Sequence, residues 1–381
     1  MTTAVLSPVR TGVAGTIALM VAHCAGMVDL VALPVWVGTL VGSYGFSPQQ
    51  AGGLATVFLL GAVASSLFFA PRFNRISGRV AAAAGFGGAA LAFGFAATTT
   101  AYPMLMAAHL VAGVSAGCAL SFTHGTIGRS ANPHRLFAVV GLAMGAFALV
   151  FLAATPNLVA SMGGAVLFQV FGGVMAVASI VAALMFPKAD AESAASLAAA
   201  KLPIPRAVWF GVFGVVCMAL NQAMVFSYFE VIGRGRGFAP EAVIGVLIAL
   251  GFVNLVVPAP LAAVLQGKVA AEKVVIFGPV AQAALAVTFT VSTAFIPFAA
   301  AGAVFVALMI FTHTFAFGML ARMDTSGRAL AGTPAMLMAG AAVGPILGGI
   351  LVQNLGFPAL GAASVVVACV AIASFLKART A

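Results

Sequence analysis

The sequence is short of charge. Only 6% of its 381 residues are Asp, Glu, Lys or Arg, and just seven are acids, against roughly 25% charged residues in an ordinary soluble domain. That leaves too little polar surface to cover a water-soluble globule. A 63% hydrophobic content excludes a disordered chain as well. The segments of about ten alternating apolar and polar residues that build an outer-membrane barrel are missing. So are CxxC, HExxH and Walker A strings, so no cofactor or metal is expected, and transport driven by ATP would need a partner subunit. The four cysteines, Cys24, Cys118, Cys217 and Cys369, lie inside apolar runs with no paired loop positions. They read as small packing residues rather than disulfides or zinc ligands.

What is present is a succession of long apolar runs, with a mean hydropathy of +1.18. At roughly 20 residues per membrane span, the chain has room for about twelve helices. Punctuation by polar residues, Pro and Gly places them at 12–42, 50–71, 79–98, 102–127, 136–158, 163–186, 207–233, 241–264, 273–293, 297–321, 330–353 and 358–377, numbered spans 1–12 below. The first run is too long for a signal-peptide core and reads as an uncleaved span. The longest polar interruption, 187–206, carries Lys188, Asp190, Glu192, Lys201 and Arg206. It divides the chain into a first bundle (1–186), a linker (187–206) and a second bundle (207–381). The expected fold is all-α and polytopic, with twelve transmembrane helices in two pseudo-symmetric six-helix bundles.

The net charge of +10 belongs to the loops and not to a nucleic-acid surface. With the N-terminus inside, 15 of the 17 Lys and Arg residues fall in cytoplasmic segments, and only Arg234 and Arg236 fall outside. That bias fixes the orientation, with both termini cytoplasmic. The halves also repeat. Gly45-Phe46-Ser47-Pro48 recurs as Gly237-Phe238-Ala239-Pro240 at an offset of 192, and Arg129 and Arg135 recur as Arg322 and Arg328 at 193. Each half therefore holds an even number of spans, in parallel repeats.

On these features the chain resembles the major facilitator superfamily over essentially its whole length. The stretch Ala70-Pro71-Arg72-Phe73-Asn74-Arg75-Ile76-Ser77-Gly78-Arg79 is similar to the family loop Gly-x-x-x-Asp-Arg-x-Gly-Arg-Arg. Asn74 replaces the acid, Ala70 replaces the glycine, and one residue is inserted. Asp29 followed by Ala32-Leu33-Pro34 resembles the drug/proton antiporter branch. Gly340, Gly344-Pro345 and Gly348-Gly349 resemble that branch's antiporter motif, but they stand in span 11 instead of span 5, where close helix packing is their expected role. The resemblance implies a single-chain secondary transporter with alternating access.

An ionisable group in the hydrocarbon region costs at least about 2.5–3.5 kcal/mol on insertion scales, so each one is a candidate. Asp29, near the middle of span 1, is expected to carry a proton, with His313 of span 10 as a second proton site. Asn221, at an offset of 192 from Asp29, is expected to face it across the repeat, with Gln222, Tyr228 and His109 lining the substrate cavity. His109 stands before Gly113 where family antiporters carry Arg. Glu230, about 13 Å above Asn221 at 1.5 Å per residue, is expected at an outer gate or rim with Arg234 and Arg236. Arg75, Arg79, Arg322, Asp324 and Arg328 form the expected cytoplasmic gate, with Asp324 as partner for cations from either half.

Other classes fit less well. Gly113-Val114-Ser115-Ala116-Gly117 is a GxSxG string, but it lies inside an apolar helix rather than a strand–turn–helix elbow. Met20, His23, Cys24 and Met27 suggest a soft-metal path, yet Met is common filler in apolar cores. A non-transporting scaffold or sensor has no feature of its own. The reading is a proton-coupled transporter of the cytoplasmic (inner) membrane, acting as a monomer, whose partners are lipid, protons and a small substrate. Export of an apolar or cationic compound is expected first. Proton-linked uptake of a small organic acid, drawn by Arg234 and Arg236, is the alternative.

Overall fold

The repeated loops show how the sequence sets the chain's turns. Gly45 and Gly237 both take φ near +70°, at +69° and +75°, a left-handed conformation that side chains disfavour. Each leads through Phe and one further residue to a Pro that opens the next helix. Ser47 accepts from the Gln50 amide while Gln50 reaches back to the Ser47 amide, a reciprocal cap on Pro48–Phe69.

In the computed structural model, which describes residues 11–188, 204–324, 329 and 333–380, these turns join twelve helical stretches long and apolar enough to cross a membrane. No strand occurs among the described residues. The span positions follow the sequence expectation, with three internal breaks. Span 1 comprises Val13–Gly26 and Val28–Gly42, span 7 comprises Arg206–Phe226 and Phe229–Gly235, and span 8 comprises Pro240–Val256 and Pro258–Leu265. Pro258 explains the last, because its nitrogen has no hydrogen to continue the helical ladder. In span 1, Pro34 lies within the outer half and likewise withdraws a bond from the turn that follows the break. Residues 189–203 of the linker lie outside the described residues, as does Arg328.

Small residues set the approach between helices. A side-chain carbon on Gly340 or Gly344 would strike the backbone of span 7 at Val216 and Met224, and one on Gly349 would strike the carbonyl of Pro48 in span 2. The glycine series of span 11 therefore lets this helix lie against span 7 of its own half and span 2 of the other, the close approach expected of small residues in membrane bundles. Spans 5 and 8 meet across the second boundary, where Gly145 and Gly251 receive Leu255 and Leu149.

The two halves are joined unevenly along the membrane normal. One apolar core runs through both halves and includes Leu33, Trp36, Leu40, Phe229, Phe298 and Leu247. A second cluster, from Val208 and Val215 to Leu320 and Phe375, belongs to the second half alone and lies toward the Lys/Arg-rich face. The hydrogen bonds Gln49 N–H to Gln353 Oε1 (3.3 Å) and Ile346 N–H to Thr56 Oγ1 (3.1 Å) also cross between halves, away from the basic face.

Candidate transport path

Asp29 is the second residue of the outer half of span 1, immediately after the break at Met27. It is 1% exposed, and neither carboxylate oxygen makes a hydrogen bond. The groups closest to satisfying it are the amides of Asp29 and Leu30 at the helix start, where the helix dipole favours negative charge. A buried, unpartnered carboxylate is expensive, which sets Asp29 apart in an apolar span.

Span 7 repeats this device further along. Its break falls at Ser227–Tyr228, and Glu230 is the second residue of the half-helix that follows. Relative to the helix breaks, Glu230 stands where Asp29 does, while Asn221 keeps the matching distance from the helix start. Glu230 is buried. Its Oε2 lies 3.1 Å from Nη2 of half-exposed Arg234, and its Oε1 has no partner. The ion pair rests on a glycine strip of span 1: a side chain at Gly38 would strike the Glu230 carboxylate, and one at Gly42 the Arg234 guanidinium. Arg236, in contrast, donates to the Thr290 carbonyl at 2.9 Å and lies 5.7 Å from the Phe357 ring centroid.

Tyr228 does not line an open cavity. It is fully buried, and its hydroxyl is shared between the carbonyls of Pro48 and Pro345, each at 2.8 Å. One side chain at the break in span 7 thereby ties span 2 of the first half to span 11 of the second.

Asn221 is buried too, and it faces span 9. It donates to Gln282 Oε1 at 3.3 Å, while Gln282 Nε2 reaches Gln222 Oε1 at 3.3 Å and the Met218 carbonyl at 3.4 Å. Gln282 was absent from the sequence expectation, although a lone amide in the middle of an apolar span is a visible signal. His109 also departs from its expected place. It is 0% exposed, donates from Nδ1 to the Leu105 carbonyl at 2.7 Å, and accepts from Trp36 Nε1 at 3.2 Å. With Trp36, Phe93 and Phe168 around it, it belongs to an aromatic core, and Trp36 is a second residue missed from sequence. His313 stacks on Phe317 with ring centroids 4.9 Å apart, and its sealed Nδ1 has no partner.

At the basic face, Arg79 donates to the Phe186 carbonyl, tying span 3 to span 6, and Arg75 is exposed. Arg322 meets Glu272 at 3.3 Å rather than serving Asp324. Asp324 is buried and accepts from the Ala329 amide at 2.7 Å within its own loop. A cavity of about 760 Å³ opens here between spans 8 and 10, with Ala259, Ala263, Lys268, Thr314, Gly318 and Arg322 in its wall.

Twelve spans in two like halves, each beginning with a broken helix that buries an acid, define a helical membrane protein of the transporter class. The chain belongs to the Major Facilitator Superfamily, whose family model matches residues 18–326. Two solved structures share its fold. One is a bacterial homolog of the human lysosomal transporter Spinster, solved in an inward-facing, unoccupied conformation, at TM-score 0.71 and 13% identity over 96% of both chains. The other is a mutant of the nucleoside transporter NupG, at TM-score 0.72 and 11% identity over 96% of this chain and 99% of that one. No curated protein sequence matches the chain.

Proposed function

We propose that this superfamily transporter couples substrate movement to protons, with Asp29 as the coupling acid, and that it exports a small apolar or cationic compound. The observation that carries the reading is the Asp29 carboxylate, buried at the break in span 1 with both oxygens unpartnered. A proton or a cationic substrate group would relieve the same cost, so the two compete for one site, which is the condition for exchange.

The Lys/Arg-rich face is assigned to the cytoplasm by the positive-inside rule, in the cytoplasmic (inner) membrane. On that assignment the outer side is closed. Tyr228 is its latch, and Glu230 and Arg234 fill the joint against Gly38 and Gly42; the cavity beside Thr314 and Arg322 lies on the inner face but is walled by the second half alone. Arg75, Arg79, Arg322, Asp324 and Arg328 would close the inner side in the opposite state. The ion pair of Arg234 with Glu230 offsets one of the two outer cations and so weakens the draw for an anion, which counts against organic-acid uptake; Arg236, donating to the Thr290 carbonyl, keeps its charge. His313, with its unpartnered Nδ1, is retained as a second proton site. A thermal-shift screen of the purified protein against organic cations, neutral apolar compounds and carboxylic acids tests the substrate class. Stabilisation by carboxylic acids alone would reverse the choice.

A further inference from the structure

Span 1 carries a second polar group that the coupling scheme above does not use. His23 lies six residues before Asp29, about 9 Å along the helix, on the basic-face side of the break. Its Nδ1 is 3.0 Å from Nε2 of His124 in span 4, with ring centroids 5.2 Å apart. The pair joins two helices across 101 residues of sequence. Both side chains are half-buried, and neither outward nitrogen, His23 Nε2 or His124 Nδ1, is among the sealed unpartnered atoms. At 3.0 Å the inner nitrogens share one hydrogen, and the outer ones are not among the sealed atoms.

We propose that the His23–His124 pair is a proton-binding site in its own right, a relay on the basic-face side of Asp29 that takes up one proton shared between the two rings. In one tautomeric arrangement His23 Nδ1–H donates to His124 Nε2, leaving a lone pair on His23 Nε2 and a hydrogen on His124 Nδ1. A proton added at His23 Nε2 makes an imidazolium. Its Nδ1 hydrogen can pass to His124 Nε2, and the Nδ1 hydrogen of His124 can leave. One proton enters, one departs, and only N–H bonds change. The other tautomer runs the same steps in reverse. An added proton is also held better by two rings than by one, because a charged donor strengthens the bond between them.

The surroundings fit a proton path. Thr16, seven residues before His23 and so on the same face of span 1, lines a polar cavity of about 570 Å³ with Ser130, Asn132 and Arg135. This cavity lies toward the basic face. Span 5 meets His124 through Phe137, 6.0 Å between centroids, and opens with His134 and Arg135. Span 1 adds Cys24 and Asp29, and span 4 adds Cys118 and, at its end, Arg129. Span 3 begins with Arg79, which is held by the Phe186 carbonyl. Spans 6 and 11 contain no titratable residue. Among the described residues no group of three His, Cys, Asp or Glu side chains gathers around one point. Two imidazoles fall short of the three or four protein ligands that zinc sites use, so a proton suits the pair better than a metal ion does.

The relay's role rests on the Asp29 reading, but its proton binding does not, and the two are separable. The experiment is nitrogen NMR of the full-length protein in detergent with 15N-labelled histidine, assigned through His23→Gln and His124→Gln. The account expects a scalar coupling across the ring–ring hydrogen bond near pH 8, and a single one-proton step moving both rings together as the pH falls toward about 5. His124→Gln should move the His23 step to lower pH. Two independent steps, or no step by about pH 5, would overturn the relay. The same spectra of Asp29→Asn keep the tests apart. A histidine step that persists beside unchanged transport sinks the Asp29 reading alone. A missing step beside lost transport sinks the relay alone.

Discussion

Trp36 donates its indole hydrogen to His109 Nε2 at 3.2 Å, inside the first bundle and two helical turns beyond Asp29 on span 1. Because Nδ1 of the same imidazole is committed to the Leu105 carbonyl, both ring nitrogens are occupied when the ring is neutral. The bond ties span 4 to the outer half of span 1 and sets how that half-helix is rotated. It gives His109, expected from sequence on the substrate cavity, two hydrogen-bond partners within the aromatic core.

Trp36→Phe should therefore lower stability without stopping transport. It keeps most of the aromatic packing but leaves a buried acceptor unpaired, at a cost of about 1–3 kcal/mol. The check is thermal unfolding in detergent beside a transport assay. An unchanged melting temperature would mean that the bond carries no weight.

The Tyr228 hydroxyl spans the closed joint between Pro48 and Pro345. Tyr228→Phe removes that link and should favour the outward-open state by about 1 kcal/mol, the typical net worth of a hydrogen bond, or roughly a fivefold population shift. Spin labels on the loops around Gly45 and Gly237, read by double electron–electron resonance, should show a larger wide-distance fraction. An unchanged distribution would count against the latch.

Much of this architecture is legible in the sequence, because span number depends on length and hydropathy that cannot hide. The repeat of Gly45–Pro48 as Gly237–Pro240 is equally plain. Rotation about each helix axis is less so. In a soluble helix polar residues mark the outer face, whereas here both faces are apolar and the pattern carries little contrast. Hence the sequence points Asn221 and Tyr228 at a cavity, whereas Asn221 turns to Gln282 and Tyr228 bridges two carbonyls. The break at Ser227–Tyr228 has no proline to announce it. The His23–His124 pair depends on a contact between distant segments that no local rule predicts.

Asp324 reads as a loop-holding residue as much as a gate. Asp324→Asn should weaken the hydrogen bond from the Ala329 amide and shift the protein toward the inward-open state, by no more than a few kcal/mol. Distance measurements across the basic face are the check, and an unchanged distribution would remove Asp324 from the gate.

Arg234→Gln with Arg236→Gln separates the two directions of transport. For a cationic or apolar exported compound, apparent affinity should stay level or improve slightly. A loss of about tenfold or more, roughly 1.4 kcal/mol, that shrinks as salt rises would favour uptake of an organic acid. Because the double change also frees the Glu230 carboxylate, Glu230→Gln with both arginine changes is the control for field against structure.

The central claim is that the Asp29 carboxylate carries the coupled proton. Its most direct measurement is substrate-driven proton flux in proteoliposomes with a pH-sensitive dye inside, using a compound that stabilises the wild-type protein. The account predicts that Asp29→Asn folds and gives no substrate-dependent pH change, and that Asp29→Glu keeps part of the flux. Proton movement at the normal rate in Asp29→Asn would contradict it.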